Sequence, residues 1–133
     1  GDPYHAWAFG PMLLDANGEA LTEFNCGTSI LGTNPRAAIG YYEPGHYCFL
    51  LVDGRQGSAS RGMTMEQLSA FFQELGCKAA YNFDGGQTAV MASKTGVVNE
   101  PFAGGRSTSD ILYIGAPLLQ EDAGAASSGE VEG

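Results

Sequence analysis

The chain is 133 residues long, with 15 acidic against 6 basic side chains, a formal charge of −9 and 20 glycines. That length supports one domain with a single core, and a composition of 44% hydrophobic and 16% charged residues excludes a disordered chain. A negative charge of this size also excludes a general nucleic-acid binder and disfavours docking on anionic membranes, because little here neutralises rows of phosphates.

The first apolar runs, 11–14 and 21–24, read as strands joined by Ala16-Asn17-Gly18-Glu19, because Asn-Gly accepts positive φ at both centres of a hairpin turn. Runs 28–31, 36–42 and 47–53 follow as further strands. Glu43-Pro44-Gly45-His46 joins the last two, with Pro presetting φ and Gly taking the left-handed position.

A helix is expected over about 65–75. Thr64 caps it, Gln67 completes a capping box, and Met65, Leu68, Phe72 and Leu75 make one apolar stripe. Gly76 stops it in the C′ position. Beyond it, 79–84, 88–93, 96–98 and 111–115 read as strands. Residues 119–133 hold Glu121, Asp122, Glu130 and Glu132 with no base and few apolar groups, so a flexible acidic tail is expected after a domain spanning 1–118. The fold class is α+β: a twisted mixed sheet, the main helix on one face and room for a second short helix.

The flanks of the helix carry the functional argument. Cys48–Val52 and Ala79–Phe83 are continuous apolar strands on either side of it, which fits a βαβ unit. The two strands are then parallel, adjacent or one strand apart, and their C-terminal ends share one rim. Each ends in Asp-Gly, so Asp53 and Asp84 are expected side by side where α/β sheets bind ligands. Paired carboxylates are the minimum kit for glycoside hydrolysis. Asp84-Gly85-Gly86 also reads as a plain hairpin turn into 88–93, and its glycines offer backbone N–H groups to an anion.

Arginine is the second clue. Arg36, Arg55 and Arg106 each sit at a loop–strand junction beside Pro or Gly, where planar forks grip phosphate or carboxylate. His5 and His46 have no partner at a metal-binding spacing and read as structural, with His5 also within reach of the site. Cys26, Cys48 and Cys77 form no CxxC; one internal bridge remains open to them, and a cysteine metal site is not expected. No apolar run reaches ~18 residues, and the N-terminus does not read as a signal peptide.

Seven ordered segments carry a family resemblance. They are Asn34-Pro35-Arg36-Ala37-Ala38-Ile39-Gly40, Val52-Asp53-Gly54-Arg55-Gln56, Gly62-Met63-Thr64, Leu75-Gly76-Cys77, Asn82-Phe83-Asp84-Gly85-Gly86, Val97-Val98-Asn99 and Arg106-Ser107-Thr108-Ser109-Asp110-Ile111-Leu112. Together they resemble the phosphodiester glycosidase family over roughly residues 7–115. The family's DGGGS reads Asp84-Gly85-Gly86-Gln87-Thr88 here, with Thr88 in place to supply the hydroxyl. Family domains also carry an upstream Asn-Gly-Gly-rich strand, and this chain begins after it; a second chain supplying that segment is a candidate partner.

The resemblance implies hydrolysis of an N-acetylglucosamine-1-phosphodiester or a similar sugar phosphodiester, including cell-wall glycopolymers, outside the cytoplasm. It needs no cofactor, and a metal requirement stays open. Asp53 and Asp84 are the catalytic candidates, with Arg36, Arg55, Arg106, Asn82, Gly85, Gly86, Thr88 and Asp110 on the substrate and its phosphate. The alternative is a non-catalytic module of the same fold that binds sugar phosphates.

Overall fold

The structure, a computed structural model, describes residues 6–116; His5 and the acidic tail lie outside them. The chain divides into two compact units, residues 9–106 and residues 1–8 with 107–133.

The unit of residues 9–106 is built on a hairpin. Strands β1 (Arg36–Glu43) and β2 (His46–Val52) pair antiparallel through the expected turn, with Gly45 at φ +78°. After β2 the chain runs through helix α2 (Met65–Glu74) to strand β3 (Ala79–Asn82), which pairs antiparallel with the other edge of β1. The order is β2-β1-β3, so β2 and β3 run parallel with one strand between them. Every hydrogen-bonded pair is nonetheless antiparallel, and the class is α+β.

Helix α2 forms for the reasons its sequence suggests. The Thr64 hydroxyl accepts from the Gln67 amide at 3.1 Å while the Gln67 side chain accepts from the Thr64 amide at 3.0 Å. At the other end Gly76 takes φ +80°. Met65, Leu68 and Phe72 are fully buried, but Leu75 is exposed, because the helix ends there and the stripe no longer faces the sheet. Ser69 joins the buried face instead, and its hydroxyl donates to the Leu13 carbonyl.

Small residues on β1 and β3 let the helix approach. Ala38, Gly40, Ala80 and Asn82 lie on one face, paired as Ala38↔Asn82 and Gly40↔Ala80. A Cβ at Gly40 would stand 2.6 Å from Cys77 Sγ and 2.8 Å from both Cys48 Sγ and Phe72 Cε1. Gly40→Ala therefore overpacks the core, and a loss of about 1–3 kcal/mol or more is expected in urea denaturation.

Several runs read as strands take other forms. Residues 28–31 make a short helix, α1 (Thr28–Leu31), because Ile30 and Leu31 pack on the core and Arg36 draws the carbonyls at its end. Four apolar or β-type residues cannot be told from one helical turn by periodicity. Residues 11–14 are extended and cover the free edge of β3, but only Met12 and Leu14 form bridges. Of 21–24 nothing joins a ladder. The expected hairpin at Asp84-Gly85-Gly86 does not form; Gly86–Thr88 is a 3-10 turn, which leaves only β4 (Ala92–Ser93) and β5 (Gly96–Val97) as a two-stranded ribbon.

In the other unit the described residues are 6–8 and 107–116, and they form no regular element. The run 111–115 keeps Ile111, Leu112, Tyr113 and Ile114 exposed and pairs with no strand, so its apolar pattern does not become a ladder.

Candidate functional site

The site is assembled where three chain segments meet at the start of β1. Asn34-Pro35-Arg36 leads into β1, and the segments leaving β2 and β3 both press against it. Both segments carry glycine at the contact. A Cβ at Gly54 would lie 2.8 Å from the Pro35 nitrogen, and one at Gly85 would lie 2.5 Å from the Pro35 oxygen. The Asp-Gly pairs thus serve close approach more than turning.

Arg36 is 3% exposed. Its Nε donates to the Met63 carbonyl at 2.9 Å, and its Nη2 donates to the carbonyls of Ile30 at 2.7 Å and Gly32 at 2.6 Å. Nη1 has no hydrogen bond to the described residues, and the side chain lines a hollow. Burial pushes the Arg36 guanidinium below its ordinary pKa; the nearby Cys26 thiol offsets part of this and the Arg55 charge adds to it.

Arg55 reaches the same hollow from the end of β2. Its Nη2 donates to Asn34 Oδ1 at 2.7 Å, and its guanidinium sits 5.2 Å from the Phe102 ring centroid, within cation–π range. The Asn34 amide is held in turn by the carbonyls of Ser29 and Gly32, both at 3.1 Å. Arg106 completes the set, donating from Nη2 to Asp84 Oδ2 at 2.7 Å.

The hollow encloses about 300 Å³. Arg36, Arg55, Arg106 and Asp84 line it, together with Gly85, Gly86 and Gln87 beyond β3 and Phe9, Ser29, Ile30 and Asn34. Three guanidinium groups against one carboxylate make a positive basin in a chain of net charge −9. Phe9 at φ 144° and Arg55 at φ 58° are two of the three non-glycine residues of positive φ among those described, and both line the hollow. Backbone held in such sparsely populated regions clusters at functional sites.

Asp53 is placed differently from Asp84. Its Oδ1 accepts from Asn99 Nδ2 at 2.8 Å and its Oδ2 from the Glu100 amide at 3.2 Å, and it does not line the hollow. Asn99 also donates to the Ala89 carbonyl at 3.0 Å, so Asp53 fixes the segment running back from β5. Asp53→Asn puts an amide where one of those donors sits, and a loss of roughly 1–3 kcal/mol in stability is expected, read by chemical denaturation.

The remaining expected residues are spread out. Asn82 is buried; its Nδ2 donates to the Gly10 carbonyl at 2.9 Å, and its backbone bonds Gly10 and Pro11 at 3.1 Å each. It therefore anchors the segment that carries Phe9 and does not itself line the hollow. Thr88 turns its hydroxyl to the Gly85 carbonyl at 2.8 Å. The Gly86 amide donates to the Pro35 carbonyl at 3.2 Å, which leaves the Gly85 amide as the one of the pair with no bond among the described residues. Asp110 is exposed and belongs to the other compact unit. The sequence reading did not single out Phe9, Ser29, Ile30 or Gln87 as lining residues. Asn34 carries a signal, standing two positions before Arg36 in Asn34-Pro35-Arg36.

Among the described residues no group of three or more His, Cys, Asp or Glu could hold a metal ion, and no helix is long and apolar enough to cross a membrane.

Comparison with known proteins places this geometry in context. No curated protein sequence matches the chain significantly. Among solved structures, a hypothetical protein from Synechocystis superposes with a TM-score of 0.60 at 21% identity, over 73% of this chain. That likeness establishes the fold, and the matched part is 18% of the Synechocystis chain. The sequence model of the phosphodiester glycosidase family matches residues 1–115. With that match covering most of its length, the chain belongs to the phosphodiester glycosidase family.

Proposed function

We propose that the hollow binds the phosphate of a sugar-1-phosphodiester, of the N-acetylglucosamine-1-phosphodiester kind, and that the protein hydrolyses the bond between sugar and phosphate. The observation that carries this reading is the convergence of Arg36, Arg55 and Arg106 on an open basin walled by Asp84. Burial first and the Arg55 charge second hold the Arg36 guanidinium below its ordinary pKa, and an anion bound beside it offsets both. A phosphomonoester is a good leaving group, so the main need is to hold and neutralise it while the anomeric carbon gains positive charge.

In this reading the phosphate sits among the three guanidiniums and the Gly85 amide. Drawing Arg106 onto the phosphate releases the Asp84 carboxylate toward the anomeric side, as base, nucleophile or electrostatic support. Water adds at the anomeric carbon, the glycosidic C–O bond breaks, and free sugar and a phosphomonoester leave. Asp53 acts from behind, holding Asn99 and Glu100. A cell-wall glycopolymer is a substrate of the same chemistry, a reading that goes with a location outside the cytoplasm, and a second chain is a candidate supplier of further site residues.

A binding module without turnover is the second reading, favoured by one observation: both Asp53 oxygens are already occupied, so only one carboxylate faces the hollow. Incubation with UDP-N-acetylglucosamine or a p-nitrophenyl phosphodiester analogue separates the two. Release of free sugar supports the hydrolase; retention of intact ligand selects the binding module; neither result removes the hollow as a phosphodiester site.

A further inference from the structure

On the helix-facing side of the sheet, among residues that do not line the hollow, two cysteines from distant parts of the chain meet. Cys48 lies in the middle of β2, Cys77 follows the end of α2, and their sulfurs are 3.8 Å apart. They meet over Gly40, whose missing side chain leaves the space: a Cβ there would stand 2.6 Å from one sulfur and 2.8 Å from the other. Tyr42 and Cys48 both pack against the core cluster that contains Cys77. Cys77 is 3% exposed and Cys48 is partly buried, which makes Cys48 the more accessible residue of the two. Burial pushes the Cys77 thiol up from its ordinary pKa, with the neighbouring Tyr42 hydroxyl opposing and Cys48 adding to the rise. Cys77 is therefore protonated at neutral pH, as suits the second partner in an exchange rather than the first.

We propose that Cys48 and Cys77 form a redox site, at which a small-molecule disulfide such as oxidised glutathione converts the two thiols into a staple joining β2 to the end of α2 across β1. The Cys48 thiolate attacks one sulfur of the reagent; the reagent's S–S bond breaks, and one thiol leaves. Cys77 gives its proton to solvent and attacks the Cys48 sulfur, expelling the second thiol. Two cysteine thiols are oxidised and one external disulfide is reduced to two thiols, so electrons and protons balance. The staple closes the loop of residues 48–77, which holds the rest of β2 and all of α2, and ties β2 to the chain just before β3, the two strands that lead to Arg55 and Asp84.

The test uses the full chain. It is incubated with oxidised glutathione, denatured, alkylated and weighed, then digested with trypsin without reduction. The expected product is two hydrogen masses lighter than the reduced chain before alkylation and takes up one alkyl group, on Cys26. Peptides 37–55 and 62–78 are then recovered joined. Cys26→Ser keeps the linkage, and the oxidised form melts roughly 5 °C or more above the reduced form, from loop closure. A stable glutathione adduct on Cys48 with Cys77 still alkylated, or linkage through Cys26, overturns the proposal. So does full alkylation of all three thiols after oxidation in Cys26-intact, folded protein.

Discussion

Arg36→Ala is expected to cost about 3–5 kcal/mol of folding stability, the size seen when one partner of a buried charged network is removed. The change strips donors from the carbonyls of Ile30, Gly32 and Met63 at once and empties a nearly closed space at the start of β1. Those carbonyls end α1 and lead into the α2 cap, so the loss spreads to both flanks of the hollow. Arg36→Lys recovers only part of it, because a single ammonium cannot reproduce a planar fork that meets three acceptors. Urea titration of the three proteins measures this directly. A loss below about 1 kcal/mol for Arg36→Ala would mean that water substitutes for the guanidinium and that the residue is free to serve ligand alone.

The second large effect is on turnover. Asp84→Asn is expected to lower the rate of sugar release by about 10²–10⁴, the range for a positioned acid–base group. Stability should change by less than ~1 kcal/mol, because Asp84 and Arg106 are 42% and 48% exposed and such pairs contribute little. The pairing of the two readouts is the point: a folded protein that no longer releases sugar places Asp84 in the chemistry. Normal turnover in a normally folded Asp84→Asn protein would refute that role.

Much of this architecture is legible from side-chain order. α2 declares itself through Thr64, Gln67 and the stripe from Met65 to Phe72, all local features that tertiary contacts reinforce. The hairpin of β1 and β2 is equally local, since Pro44 and Gly45 fix the turn and the register follows. The single-strand separation of β2 and β3 was one of two options, and the choice depends on a β1 pairing that no short window contains. What escapes is set by long-range contacts. Thr28–Leu31 becomes helical because Arg36, several residues on, satisfies its terminal carbonyls. The run at 88–93 is cut short because Gly85 lies against Pro35 and the chain turns through Gly86–Thr88.

The site divides along the same line. Arg36, Arg55, Arg106, Asp84, Gly85 and Gly86 stand together around the hollow, all but Arg106 close to the end or start of a strand as their neighbours in sequence suggest. Arg106 follows the turn Phe102–Gly104, because the strand expected after it does not form. Asp53 shares their rim, but its orientation depends on Asn99, a residue 46 positions away. Phe9 reaches the wall only because buried Asn82 binds Gly10 and Pro11. Neither relation has a signal within any local segment.

The central claim is that the hollow recognises a phosphodiester through guanidinium groups. Isothermal titration of the folded protein with UDP-N-acetylglucosamine, beside an Arg55→Ala/Arg106→Ala double variant, tests it most directly. Binding that weakens with added salt and falls by about 10²-fold or more in a double variant of unchanged thermal midpoint is the expected result. Equal affinity in the two proteins, or binding indifferent to salt, would contradict it.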